Sequence, residues 1–331
     1  MRHGSKIGPG AFRLVLANAV VASHLSRWNV GEPAVFVFFI LSGYWISQMY
    51  VYKYSRHRQP LKSFYLSRFL RIWPFYAVAV LFSIFITGFV TGVTDYKLLY
   101  GLPVFGVSSH RYDALQIAWA LDIELQFYLL APFVIMFFSR MSMLRLSPSL
   151  LVGVFLLTAF GWLLYAQTGI KTVLCYTPMF LTGIYIAVLQ PVFSRTCVQV
   201  STLVFFALVA VFFLHPVLRP FSDNNIETAF NDEWITMTMV LLLIPFITRN
   251  VHQRRSWLDT HMGNLSYALY LVHFPLIFAL FTLLDRDMTH IEKLSLMILL
   301  HLIALLFYLV FDRPFERFRR WVMRRTVQKE T

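Results

Sequence analysis

Apolar residues run along this chain in long blocks, broken by short polar, basic or Gly/Pro-bearing stretches. Ten blocks read as helices crossing a bilayer, at about 10–26, 33–52, 73–92, 115–138, 149–166, 172–190, 200–215, 234–249, 264–284 and 291–311. A hydrocarbon core takes roughly 17–25 residues of helix, so 10–26 and 200–215 are the marginal ones. The pattern predicts an all-α polytopic membrane protein with about ten transmembrane helices. It predicts a single transmembrane domain over 1–331, ending in a short basic tail at 312–331. Composition agrees: 58% of residues are hydrophobic, 17% aromatic and only 14% charged, with a mean hydropathy of +0.63. Soluble domains carry about a quarter charged residues, which excludes a soluble enzyme. A signal peptide at 10–26 is disfavoured, because Arg13 and Asn18 interrupt it and no small-residue cleavage site stands out.

The net charge of +13 is distributed unevenly. With the N-terminus in the cytoplasm, 21 of the 29 Lys and Arg fall in cytoplasmic segments, notably six at 53–71 and seven at 313–329. This bias predicts both termini cytoplasmic. It also explains the basic charge through topology and anionic lipid, and no nucleic-acid motif argues for another partner. Arginines flanking Trp321 and Val322 at 317–325 read as an interfacial anchor. Cys175 and Cys197 are placed at opposite ends of the sixth span, too far apart to bridge, and no Cys/His cluster suggests a metal. Loops are short. The longest outer ones lie at 93–114 and at 216–233, the latter an acidic surface loop with Asp223, Glu227, Asp232 and Glu233. No internal repeat is visible, which counts against a secondary transporter.

The chemistry sits in a few polar residues inside apolar blocks. Arg13 and His24 lie eleven residues apart in the first block. Eleven residues is close to three turns, so both share one helix face about 16 Å apart. Alone, His24 reads as a polar-core histidine bonding across helices; paired with Arg13 it reads as functional, since ionisable groups inside a membrane are costly. Ser42, Gly43 and Tyr44 break the run FVFFILSGYWIS and read as packing and site-shaping residues. Arg68 and Arg71, one turn apart in FYLSRFLRIWPFY, read either as topology determinants or as a phosphate-binding pair. Glu124, with Asp122 two residues away in AWALDIELQFYLL, either pairs with a basic residue or orients His24. Asp122 and Glu124 point apart on a helix, so they do not share a proton. Tyr267 and His273 belong to SYALYLVHFPL, where structural bonding near Pro275 is the default for the histidine. Trp28, Trp73, Trp119, Trp162 and Trp257 read as aromatic-belt residues, with Trp119 the one to test for acceptor contact.

Together, four patterns resemble the acyltransferase-3 family of integral membrane acyltransferases, which includes bacterial O-acetyltransferases of surface polysaccharides. They are the basic residue, ten intervening residues and histidine at 13–24, the serine-glycine-tyrosine break, the Arg68-x-x-Arg71 pair and the SYALYLVHFPL segment. The resemblance runs from residue 9 to DRPFERF at 312–318. It implies His24 as catalytic histidine with Arg13 as its basic partner. It also implies acyl-CoA contact at Arg68 and Arg71, with Arg13 near, and Glu124 as the acidic position of a W-(S/T)-L-x-x-E-x-x-F-Y run. Here Ala120 replaces the usual hydroxyl residue and Asp122 is an additional acid, so no role passes to that hydroxyl.

Acyl transfer to an alcohol needs a base near the hydroxyl, donors for the oxyanion and a place for the thioester. An imidazole suits the first and arginines suit the phosphates of coenzyme A. The expected activity is transfer of acetyl from acetyl-CoA, as co-substrate without a resident cofactor, to a hydroxyl of a cell-surface polysaccharide or its lipid-linked precursor. Expected partners are the glycan acceptor, the bilayer and glycan-assembly machinery, in the inner (cytoplasmic) membrane. The alternative is a transporter or flippase of a polar lipid-linked substrate. It accounts for the intramembrane charges but not for the arginine pair.

Overall fold

A computed structural model describes residues 7–26, 28–104, 106, 112–140, 147–214 and 226–328; the side chains of 140, 212–214, 226–232 and 326–328 also lie outside the description. Asp223 and the side chains of Glu227 and Asp232 therefore lie outside the described residues, as do His3, Arg27, His110, Arg111 and His215. Among the described residues there is no strand.

Among the described residues, twelve α-helices follow in order. They are α1 (Pro9–Leu25), α2 (Gly31–Tyr52), α3 (Pro60–Thr91), α4 (Trp119–Arg140), α5 (Pro148–Thr168), α6 (Thr177–Leu189), α7 (Arg195–Leu214), α8 (Ile226–Leu241), α9 (Ile244–Val251), α10 (Trp257–Leu284), α11 (His290–Phe307) and α12 (Arg313–Gln328). Local chemistry sets many ends. Pro60 and Pro148 open α3 and α5, where a missing N–H costs nothing. Gly92 and Gly169 close the same helices in the left-handed conformation. Thr289 and Glu292 form a reciprocal capping box at the start of α11.

The ten apolar blocks fall in order on α1 to α7, on α8 with α9, on α10 and on α11. Among the described residues, six helices are long and apolar enough to cross a membrane by length and composition; α8 and α9, as one bent pair, bring the number to seven. The block at 234–249 is broken by a 57° bend. Pro245 stands at the start of α9 and supplies no N–H to continue α8. The sixth block opens with a tight 3₁₀ turn over Val173–Tyr176, leaving α6 only 13 residues. Cys175 lies in that turn and Cys197 in α7, both as free thiols. Glu233, expected in a surface loop, is buried on α8, and Trp162, expected at an interface, is fully buried.

The chain forms two compact units. The first comprises residues 1–40 and 189–267, the second 41–188 and 268–331.

In the first unit, the start of α1 lies against α9 and α10. Phe12 meets Phe246 edge-on at 5.1 Å, and the Asn250 amide donates to the Ile7 carbonyl at 2.9 Å. Gly10 and Gly263 allow this close approach, since a Cβ on Gly10 would fall 1.7 Å from the Asp259 carbonyl oxygen.

In the second unit, the segment after α3 folds back along that helix rather than standing off as an open loop. The Tyr76 hydroxyl donates to Gly101 O at 2.8 Å, the Trp73 indole to Leu102 O at 3.0 Å and Ser83 to Ala114 O at 2.5 Å. Trp73 lies 18 residues before the end of α3, about 27 Å along its axis. Irregular backbone at membrane depth persists only where protein or trapped water satisfies it, and these side-chain donors do so here. Asp113 closes the segment by accepting from Leu115 N and Ala118 N, both at 2.9 Å, just before α4. Burial pushes its carboxyl up to about 6 against the pull of these backbone donors.

Candidate functional site

α1 carries Arg13 in its second turn and His24 in its last, both half-buried in the first unit. The 17-residue length of α1 ends the helix one residue beyond His24, at the Ser26 cap. Ser26 turns back onto its own helix, donating to Ala22 O at 2.8 Å, and so is spent on the cap. Ser23 is crowded by Gly31 at the start of α2, where a Cβ would lie 3.0 Å from the serine Cβ.

The second unit gathers most of the remaining candidates. On α4, Glu124 accepts hydrogen bonds from Ser42 of α2 and from Tyr128 one turn further on, both on the same carboxylate oxygen. No basic side chain among the described residues of this unit pairs with it. Ser42 is therefore a direct ligand of the carboxylate rather than a packing residue alone. Tyr128 was not singled out from the sequence, although its i,i+4 spacing to Glu124 was there to read. Gly43 is a packing residue: a Cβ there would come within 2.2 Å of Phe180 O on α6. Tyr44 is buried with its ring edge-on to Trp45 at 4.8 Å.

Asp122 points elsewhere, as its spacing predicts. It accepts from Gly106 N at 3.1 Å and from the Gln126 amide at 3.1 Å, tying the folded-back segment to α4. The Trp119 ring faces the Lys171 ammonium at 5.2 Å, which also lies 5.3 Å from the Tyr165 ring. Tyr267, half-buried on α10, belongs to the first unit. His273 is fully buried in the second, with Nδ1 2.8 Å from Tyr270 O and 3.1 Å from Leu269 O. Two carbonyl neighbours make Nδ1 the protonated nitrogen.

The arginine pair divides. Arg68 is only 8% exposed. Its Nη2 donates to the Tyr54 hydroxyl at 3.3 Å and contacts the Met49 sulfur at 3.6 Å, while its buried Nε has no hydrogen-bond partner. No carboxylate among the described residues of the unit forms an ion pair with it.

Arg71 differs. It pairs with Asp312 at 2.8 Å and approaches Glu316 at 3.8 Å; Glu316 in turn pairs with Arg319 at 2.7 Å. Arg319 donates to Ser67 at 2.7 Å, and Ser67 accepts from Tyr54 at 2.7 Å. A five-residue π turn over Tyr308–Asp312 joins α11 to α12 and presents Asp312 to Arg71. The predicted basic tail is thus a helix fastened to α3 by paired charges. Its outer face keeps exposed Phe318 and Trp321 stacked at 5.9 Å, with Arg325 over the Trp321 ring at 4.1 Å.

Among the described residues, no three His, Cys, Asp or Glu side chains gather as a metal site. The chemistry on offer is a half-buried imidazole, a hydroxyl-held carboxylate and a buried guanidinium able to take an anion. No curated protein and no solved structure matches this chain. The acyltransferase-3 family model, described as an acyltransferase domain, matches residues 7–313. That span includes every candidate residue named above on α1, α2, α3, α4 and α10, and the chain, a multi-pass membrane protein, belongs to this family of acyltransferases.

Proposed function

We propose that this protein is an O-acetyltransferase of the inner membrane, moving acetyl from acetyl-CoA to a hydroxyl of a cell-surface polysaccharide or its lipid-linked precursor. In this reading the chain passes the membrane ten times with both termini cytoplasmic. The observation that carries it is Arg68, a buried guanidinium with an unbonded Nε and no carboxylate partner among the described residues of its unit. A buried cation left open is costly unless an anion fills the gap, and a phosphate of coenzyme A has the charge and the acceptor geometry.

His24 acts as the base. Its imidazole takes the proton of the acceptor hydroxyl as that oxygen attacks the thioester carbonyl. The acyl C–S bond breaks as the C–O bond forms, and the proton passes to the departing thiolate, giving free coenzyme A and the ester. Arg13 supports the charge that develops during transfer, and Glu124 orients the polar groups of its cluster. The membership in an acyltransferase family sets aside the transporter reading.

Membranes containing the full chain are expected to move radiolabel from acetyl-CoA into glycan. Histidine bases contribute about 10²–10⁴-fold, so His24→Ala should lose at least 10²-fold while accumulating normally. Equal labelling by wild type, His24→Ala and membranes lacking the protein would overturn the proposal. Chemical analysis of the surface polysaccharide with and without the chain names the acceptor and the acyl group.

A further inference from the structure

α1 cannot complete its own N-terminus. Its N-cap is Gly8, which offers no side-chain bond, and its first turn holds no acidic residue. The aligned peptide dipoles make that end positive, and Arg13 adds a full positive charge within two turns. Such a terminus leaves N–H groups unpaired and needs outside help.

The help comes from a residue 249 positions away. The Asp259 carboxylate accepts from Gly10 N at 3.0 Å through each oxygen, and from Ala11 N at 2.9 Å. Asp259 is only 7% exposed. It is itself fixed, because its backbone N–H donates to Ser256 Oγ at 3.0 Å at the start of α10. Space is reserved for this contact: a Cβ on Gly8 would lie 2.2 Å from the carboxylate oxygen. The α1 N-terminus is therefore capped by one distant carboxylate, beside the Phe12–Phe246 and Asn250–Ile7 contacts that hold the same end.

We propose that Asp259 is a positioning residue for acyl transfer, holding α1 so that His24, about 21 Å further along the helix, stays in register with the reacting hydroxyl. This rests on the function proposed above. A rigid helix transmits a shift at its end undiminished, and a displacement of about 1 Å at a reacting group costs on the order of 10²-fold. Asp259 touches no substrate; it acts through α1.

The test measures acetyl-CoA turnover by the full chain in membranes, per folded molecule, for wild type, Asp259→Ala, Asp259→Asn and Gly10→Ala. Asp259→Ala should lower kcat at least about tenfold, with the acetyl-CoA KM held within about twofold. Asp259→Asn keeps an oxygen for one N–H and should recover part of the loss. Gly10→Ala, which forces the helix off Asp259, should mimic Asp259→Ala. Hydrogen exchange at the Gly10 and Ala11 amides should rise in the same order. Unchanged kcat per folded molecule in all three variants, with only the yield reduced, would overturn the positioning role. An inert wild type would instead overturn the acetyl-CoA reading itself, whatever the exchange data show.

Discussion

Two sets of charges in the second unit are built on opposite terms. Between α3 and α12, Arg71 and Arg319 are matched by Asp312 and Glu316, with exposed Arg320 at the edge of the cluster, 3.8 Å from Glu316. Arg68 and Glu124, in the same unit, have no ionic partner among its described residues and are held by hydroxyls, Arg68 by Tyr54 and Glu124 by Ser42 and Tyr128. The closed set spends its carboxylates on its own arginines; the open set leaves the buried Nε of Arg68 for a ligand. Neighbouring arginines of one motif therefore divide between scaffold and site, and sequence spacing alone would have given them one role.

The contrast between the two arginines rests most heavily on Arg68. Arg68→Ala should lower kcat/KM for acetyl-CoA by about 4 kcal/mol, on the order of 10³-fold, with little change in thermal stability. Turnover like wild type would show that this charge serves no donor. Arg71→Ala should do the reverse. Removing one partner leaves Asp312 buried and unpaired, and the unfolding midpoint in detergent should fall by the equivalent of about 3 kcal/mol. Adding Asp312→Asn should restore much of that, whereas no carboxylate substitution in α12 should rescue Arg68→Ala.

Asp113 sharpens the comparison, as a buried carboxylate held by backbone N–H groups instead of a cation. Its ordinary value of 3.8 is pushed up to about 6, so the folded protein holds this proton more tightly than the unfolded chain. Its contribution to stability should fall as pH rises from about 4 to about 6 and stay level above, a change of about 3 kcal/mol. Asp113→Asn should flatten that part of a melting-temperature profile; an unaltered slope would assign it to another group. Smallest of all, Arg320→Ala removes an exposed arginine 3.8 Å from Glu316 and should change stability by under about 0.5 kcal/mol.

Much of the fold could be read in advance because the signals are local. A run of apolar residues favours a helix wherever it lies, so the apolar blocks lie on helices, the one at 234–249 on the bent pair α8 and α9, and Pro60 and Pro148 open helices and Gly92 and Gly169 close them where their backbone preferences require. The bend between α8 and α9 was also written locally, in Pro245, but hydropathy averaging hid it. Glu124 and Tyr128 were legible as an i,i+4 pair, and Ser42 as a hydroxyl in an apolar run, yet nothing in the spacing joined positions 82 residues apart.

An all-helical membrane protein and the residues on which its chemistry can draw are legible in the order of amino acids, because bilayer burial and helix geometry act over neighbouring positions. How charges are shared emerges with packing: Arg71 closed by Asp312, Arg68 left open, α1 capped by Asp259. Whether a buried charge is neutral scaffold or available site depends on which distant carboxylate reaches it. That is settled by packing across 241 residues in one case and 249 in the other.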